Sequence, residues 1–98
     1  MWVKFINSAA ATVTFNVRWN ANGGVSNSST TDALLAGQNG SIDLSNAGIP
    51  DGSSCWAFAN ASAGESHESG QNFTYHANAP TATYNCTGGV QNLSLSLS

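Results

Sequence analysis

Apolar and polar side chains alternate along much of this chain. Between Thr12 and Asn20, Val13, Phe15, Val17 and Trp19 fall on one side while Thr12, Thr14, Asn16 and Arg18 fall on the other. That period of two predicts a half-buried β-strand. The C-terminus repeats it, with Val90 giving way to Leu93, Leu95 and Leu97 set between Asn92, Ser94, Ser96 and Ser98. Shorter runs of the same kind at Trp2–Ile6, Ser41–Leu44, Cys55–Ala61, Asn72–His76 and Ala82–Thr87 bring the predicted strands to seven, and Val25–Thr31 is a candidate eighth.

Turn-forming residues separate these runs: Asn22-Gly23-Gly24, Gly37–Gly40, Ile49-Pro50-Asp51-Gly52, and Gly88-Gly89, which predicts a hairpin between the last two strands. Only Asp32–Ala36 has room for a turn of helix. Short strands with frequent turns over 98 residues predict one all-β domain spanning 1–98, a single antiparallel β-sandwich, with a small barrel as the alternative. The chain has no internal repeat, which disfavours a propeller, a trefoil or a solenoid.

The Cys55 strand poses a choice of face. Cys55, Ala57, Ala59 and Ala61 alternate with Trp56, Phe58 and Asn60, so one set faces the core and the other faces away. Large apolar side chains supply most core burial, which favours Trp56 and Phe58 inside. A bridge from Cys55 to Cys86 would instead bury the small set and leave Trp56 and Phe58 as an outward aromatic platform. The two cysteines lie in separate strand-like runs, and the sequence favours a Cys55–Cys86 disulfide over two buried free thiols. Such a bridge would stabilise the fold by roughly 3–4 kcal/mol in the chain-entropy picture and would imply an oxidising, secreted or extracellular setting. The N-terminal stretch itself, Trp2 to Ile6 followed at once by Asn7 and Ser8, lacks the apolar run of a signal peptide.

Composition narrows the partner. Only 7% of residues are charged, and 14 Ser, 8 Thr, 12 Asn and 10 Gly supply the polarity. The surface is therefore wetted by hydroxyls and amides, a chemistry suited to neutral, hydroxyl-rich ligands. Lys4 and Arg18 are the only Lys and Arg, too few for the counterion release that drives nucleic-acid binding. No run approaches the roughly 18 apolar residues of a membrane span, so no membrane insertion is expected. Neutral edges with few lysines are prone to strand pairing, which makes a homodimer or higher homo-oligomer an expectation.

Candidate chemistry gathers between Asn60 and Asn78, which holds Glu65, His67, Glu68, Tyr75 and His76. A metal would need His67, Glu68 and His76 to converge, and glycoside hydrolysis would need Glu65 and Glu68 to flank a cleft. Solvated loop positions are the plainer expectation, so no metal, no cofactor and no catalytic role is assigned. Fourteen serines invite a Ser-His-Asp reading, but no Gly-x-Ser-x-Gly elbow supports it. Cys55 and Cys86 are too far apart in sequence for a CxxC redox or metal motif. The set does match sugar recognition, which needs an aromatic face for stacking and amide or acidic groups for hydroxyls. Trp56, Asn60, Glu65, His67, Tyr75 and His76 form that candidate set. Asn-x-Ser/Thr sequons at Asn27, Asn39, Asn60, Asn72, Asn85 and Asn92 follow from composition, and Asn85 and Asn92 fall in predicted strands.

The stretches Thr14-Phe15-Asn16-Val17-Arg18-Trp19-Asn20 and Asn72-Phe73-Thr74-Tyr75, in a chain poor in Lys and rich in Asn, Gly, Ser, Thr and Trp, resemble the small non-catalytic lectins and carbohydrate-binding domains of fungi and bacteria. The resemblance implies an all-β fold and a neutral glycan as partner. It includes no diagnostic motif, so no residue role is carried over. The alternative function is a small secreted defence, toxin or protein-interaction β domain without glycan binding, and a purely structural, oligomer-forming domain is a third.

Overall fold

Each alternating run becomes a strand because one of its faces is apolar and must leave water. The computed structural model describes residues Met1–Ser98. Its strands are β1 (Trp2–Asn7), β2 (Val13–Ala21), β3 (Gly24–Asn27), β4 (Asn39–Asp43), β5 (Ser54–Ala61), β6 (Ser66–Thr74), β7 (Ala82–Thr87) and β8 (Ser94–Leu97). They form two four-stranded sheets, ordered β4-β1-β7-β8 and β3-β2-β5-β6, packed as an all-β sandwich. Every pairing is antiparallel except β1 with β7, which is parallel.

The core is one cluster of 22 buried apolar side chains. At its centre the Phe5 and Phe15 rings stack across the sheets with centroids 4.9 Å apart, and Tyr84 lies 6.1 Å from Phe5 and 6.2 Å from Phe73. The Tyr84 hydroxyl donates to the Gln71 carbonyl at 2.7 Å, and burial pushes its pKa up to about 12. These large rings decide the orientation of β5. Phe15 of β2 stands beside Ala59, and Val17 beside Ala57, on the same inward face of the sheet. With Phe5, Phe15 and Tyr84 filling the space between the sheets, only small side chains fit alongside. Cys55, Ala57, Ala59 and Ala61 are accordingly buried, while Trp56 and Phe58 are half-buried on the outer face. This corrects the expectation that the aromatics of β5 lie inside.

The Cys55–Cys86 disulfide is also corrected: both thiols are free and buried. The two strands belong to different sheets, and the cysteines lie toward opposite ends of the sandwich. Cys55 is registered with Trp19. Cys86 is registered with Asn7, whose amide donates to the carbonyl of Leu34, the bridge partner of Val13. From Val13 to Trp19 is about 20 Å of strand, against the roughly 4–7 Å between Cα atoms that a disulfide tolerates. Burial raises both thiols to about 11.

Three local expectations also change. Asp32–Ala36 is not helical, because Leu34 instead exchanges two backbone hydrogen bonds with Val13 at 3.0 and 2.9 Å. The only helical turn is Leu44–Asn46, where Asp43 accepts the Ser45 N–H at 3.0 Å. Strand β6 starts at Ser66, well before the predicted Asn72, since pairing with β5 supplies order that a polar sequence does not advertise. Asn92 lies in the β7–β8 turn, where its side chain accepts the Gly89 N–H, and Gly88–Gly89 forms part of the predicted hairpin. At the β2–β3 turn, Asn22 and Gly23 both take positive φ, 52° and 79°, as a two-residue hairpin requires.

Asn7 is the one fully buried amide, and all its polar atoms are used. Its Nδ2 donates to the carbonyls of Ala11 and Leu34, each at 2.9 Å, and its Oδ1 accepts the Ala9 N–H at 3.1 Å. It stitches the β1–β2 connection to the strand-like segment around Leu34.

Candidate functional site

Alternation in β2, β5 and β6 sends Arg18, Trp56, Phe58, Glu68 and Asn72 to the outer face of the second sheet. Strand register then sets them in rows. Asn27, Arg18, Trp56 and Asn72 stand opposite one another across all four strands, and Asn16, Phe58 and Glu68 form the next row, followed by Thr14, Asn60 and Ser66. A bulge in β6 makes this alignment work. The register shifts between Trp56 and Phe58, so that Glu68 faces Phe58 and Asn72 faces Trp56 with Ser69–Gln71 in between. Within it, the buried Ser69 hydroxyl accepts the Gln71 N–H at 3.0 Å, and the Gln71 side chain accepts the Leu97 N–H of β8 at 2.7 Å.

The side chains of the face are held by a connected network. The Arg18 guanidinium lies over the Phe58 ring, 3.7 Å from its centroid. Its Nη1 donates to Glu68 Oε1 at 2.7 Å and its Nε to Asn27 Oδ1 at 2.8 Å. The same Glu68 oxygen accepts the Trp56 indole N–H at 3.2 Å, and Asn16 donates to Asn27 Oδ1 at 3.0 Å. The Arg18 hydrogen bond, and after it the Trp56 one, hold the Glu68 carboxyl below the usual carboxylate range. Arg18 and Glu68 cancel each other's charge, so the platform is neutral and its aromatic rings are fixed in orientation. The surface here is an open face with no concave pocket, and a ligand would lie on it rather than in it.

The sequence-predicted residues are dispersed. Trp56 and Asn60 share the outer face, and Asn60 accepts the Ser66 hydroxyl at 2.9 Å. Glu65 sits in the β5–β6 turn, where its carboxylate accepts the Leu93 N–H at 3.1 Å and clasps the two hairpins together. His67 is half-buried opposite Ala59, on the other side of β6 from Glu68. Tyr75 is buried in the core, and His76 is exposed beside Asp51, with Nδ1 and Oδ1 2.9 Å apart. The structure thus joins Trp56 and Asn60 and separates them from the other four. Nor do His67, Glu68 and His76 converge as metal ligands would.

Arg18, Phe58, Glu68, Asn27 and Asn72 complete the face without having been in the predicted set. The phase of β2 already turned Arg18 outward in the sequence. What placed it beside Trp56 was the β2–β5 register, which no local pattern encodes.

No family model matches the chain, and no curated protein matches it in sequence. Solved structures with a similar fold include sea bream transthyretin in complex with thyroxine, with a TM-score of 0.59 at 16% identity over 99% of this chain and 92% of that one. The membrane-binding domain of pneumolysin matches with a TM-score of 0.53 at 14% identity, over 99% of this chain and 94% of that domain. Listeriolysin O matches with a TM-score of 0.55 at 13% identity, over 99% of this chain, which there spans only 22% of the neighbour's length. At such identities the likeness is one of fold alone.

Proposed function

We propose that the protein is a non-catalytic carbohydrate-binding protein that holds a neutral glycan on the outer face of the β3-β2-β5-β6 sheet. The observation that supports this reading is Trp56, turned outward on a rigid strand, fixed by Glu68 and ringed by amides and hydroxyls. An indole face takes the apolar side of a pyranose, and stacking of this kind contributes about 0.5–1.5 kcal/mol beyond area burial. Each hydroxyl bound by an amide or carboxylate adds roughly 0.5–1.5 kcal/mol net. One shallow site therefore binds weakly, with a Kd of about millimolar for a single sugar. Presentation of several copies, as in a homo-oligomer displayed outside the cell, would raise the effective strength by roughly 10²–10⁴.

Glycan-array binding of the purified protein and of Trp56→Ala tests the reading. The parent should bind at least one neutral glycan, and the variant should lose that binding while keeping the parent's circular dichroism spectrum. A parent that binds no glycan, or a variant that binds as well as the parent, overturns it. The second reading, a toxin-type or protein-interaction domain, draws on the fold likeness to the membrane-binding domain of pneumolysin. Binding to sugar-free lipid vesicles, unaffected by Trp56→Ala, would favour that alternative.

A further inference from the structure

Across the four strands of the second sheet, Asn27, Arg18, Trp56 and Asn72 occupy one straight row, because each is the register partner of the next. Three inter-strand spacings make this row about 14 Å long. That is longer than one pyranose ring requires. The row also ends at no wall: β3 and β6 are the two edge strands of the sheet, and both Asn27 and Asn72 are exposed.

The polar atoms left over after the internal network point to what would lie there. Glu68 uses only Oε1 for Arg18 and Trp56, so Oε2 has no protein partner. Arg18 uses Nε and Nη1, leaving Nη2 free. Asn27 receives both Asn16 and Arg18 on Oδ1, and since the guanidinium only donates, this fixes the free atom of Asn27 as the donor Nδ2. Asn72 spends one amide atom on the Ser54 hydroxyl at 2.9 Å and keeps the other. Free donors thus gather on the β3–β2 side of the indole and a free carboxylate oxygen on the β6 side. The two permanent charges neutralise each other at 2.7 Å, which provides no unpaired cation for an acidic sugar.

Building on the glycan reading, we infer that this row is an extended site for the interior of a linear neutral oligosaccharide running across the strands, with Trp56 stacking one ring and Asn27 and Asn72 holding its neighbours on either side. Arg18 acts here as a positioning residue, fixing Glu68 and through it the indole. Because both ends are open, the site takes internal segments of a longer chain as readily as its ends.

A microarray or calorimetric series of neutral homo-oligosaccharides of glucose, mannose, galactose and N-acetylglucosamine, monomer through hexamer, tests this. In at least one series, affinity should rise about tenfold from monomer to trimer, as two or three added hydrogen bonds imply, and then level off. Oligomers of uronic acids should bind no more tightly than the neutral series. Asn72→Ala and Asn27→Asp should each lower trimer binding about threefold to tenfold, a larger factor than the loss each causes in monomer binding. The Asp variant keeps an oxygen for Asn16 and Arg18 but replaces the free donor with a charged acceptor, so an unchanged melting curve and an unchanged Glu68 titration are needed to verify that the network survives. A parent that binds a monomer as tightly as a trimer overturns the row while leaving the glycan reading intact. A parent that binds none of the four series overturns both.

Discussion

Ala59→Leu tests the central structural inference, that the small face of β5 is the buried one. Ala59 has no exposed surface and is registered with Phe15, whose ring is already stacked on Phe5 with centroids 4.9 Å apart. The three carbons added by leucine have no cavity to enter, and overpacking of this kind costs typically about 1–3 kcal/mol. For a domain of this size each kcal/mol lowers Tm by roughly 4–8 °C, so a loss of about 2 kcal/mol corresponds to some 8–16 °C. Phe58→Ala is the companion measurement. Its ring is half-buried outside the core under the Arg18 guanidinium, and losing part of its burial with the cation–π contact should cost only about 1–2 kcal/mol. Thermal and urea unfolding followed by circular dichroism gives both numbers, provided the transitions are reversible. If Ala59→Leu melted with the parent while Phe58→Ala lost the 3–5 kcal/mol of a core aromatic, β5 would be facing the other way and the platform would not exist.

Other consequences are equally direct. In the folded protein neither Cys55 nor Cys86 should react with iodoacetamide at neutral pH, since both are buried and raised to about 11. Unfolding in urea without reductant should expose two alkylatable thiols, and a mass two hydrogens short would restore the disulfide. Glu68, held below the usual carboxylate range by Arg18 and Trp56, contributes stability that is present above its ordinary pKa and is lost as pH falls through the folded one. The pair is substantially exposed, so the effect is only about 0.2–0.5 kcal/mol and is better read as the NMR titration of Glu68 itself. Arg18→Ala should move that titration up toward the ordinary value, and an unchanged midpoint would mean the ion pair is not populated in solution. Asn7→Ala should cost about 2–4 kcal/mol, because it leaves the Ala9 N–H and the Ala11 carbonyl without their side-chain partner and takes one of two donors from the Leu34 carbonyl, which keeps the Val13 N–H; a cost below about 1 kcal/mol in urea titration would place water there instead.

What the sequence determines by itself is local. The period of two along Val13–Trp19 and Leu93–Leu97 sets which side chains can share a face, and it turns Arg18 outward before any partner is known. Asn22-Gly23 and Gly88 mark hairpins because few other residues tolerate the positive φ these positions take. The strand content and the all-β sandwich class follow from that spacing.

The tertiary structure decides what depends on volume and on partners distant in sequence. Alternation divides β5 into two faces but is symmetric between them. The Phe5–Phe15–Tyr84 stack, drawn from three other strands, leaves room only for cysteine and alanine and so sends Trp56 and Phe58 outward. The polar run from Ser66 to Gln71 has no apolar rhythm and becomes a strand only because β5 offers it hydrogen bonds. Cys55 and Cys86 invite pairing in the sequence, yet register carries them to opposite ends of different sheets. The row of Asn27, Arg18, Trp56 and Asn72 exists in no stretch of sequence at all. It is made when four strands align, because pairing register is fixed by the burial of the opposite face, and the outer face inherits whatever neighbours that burial imposes.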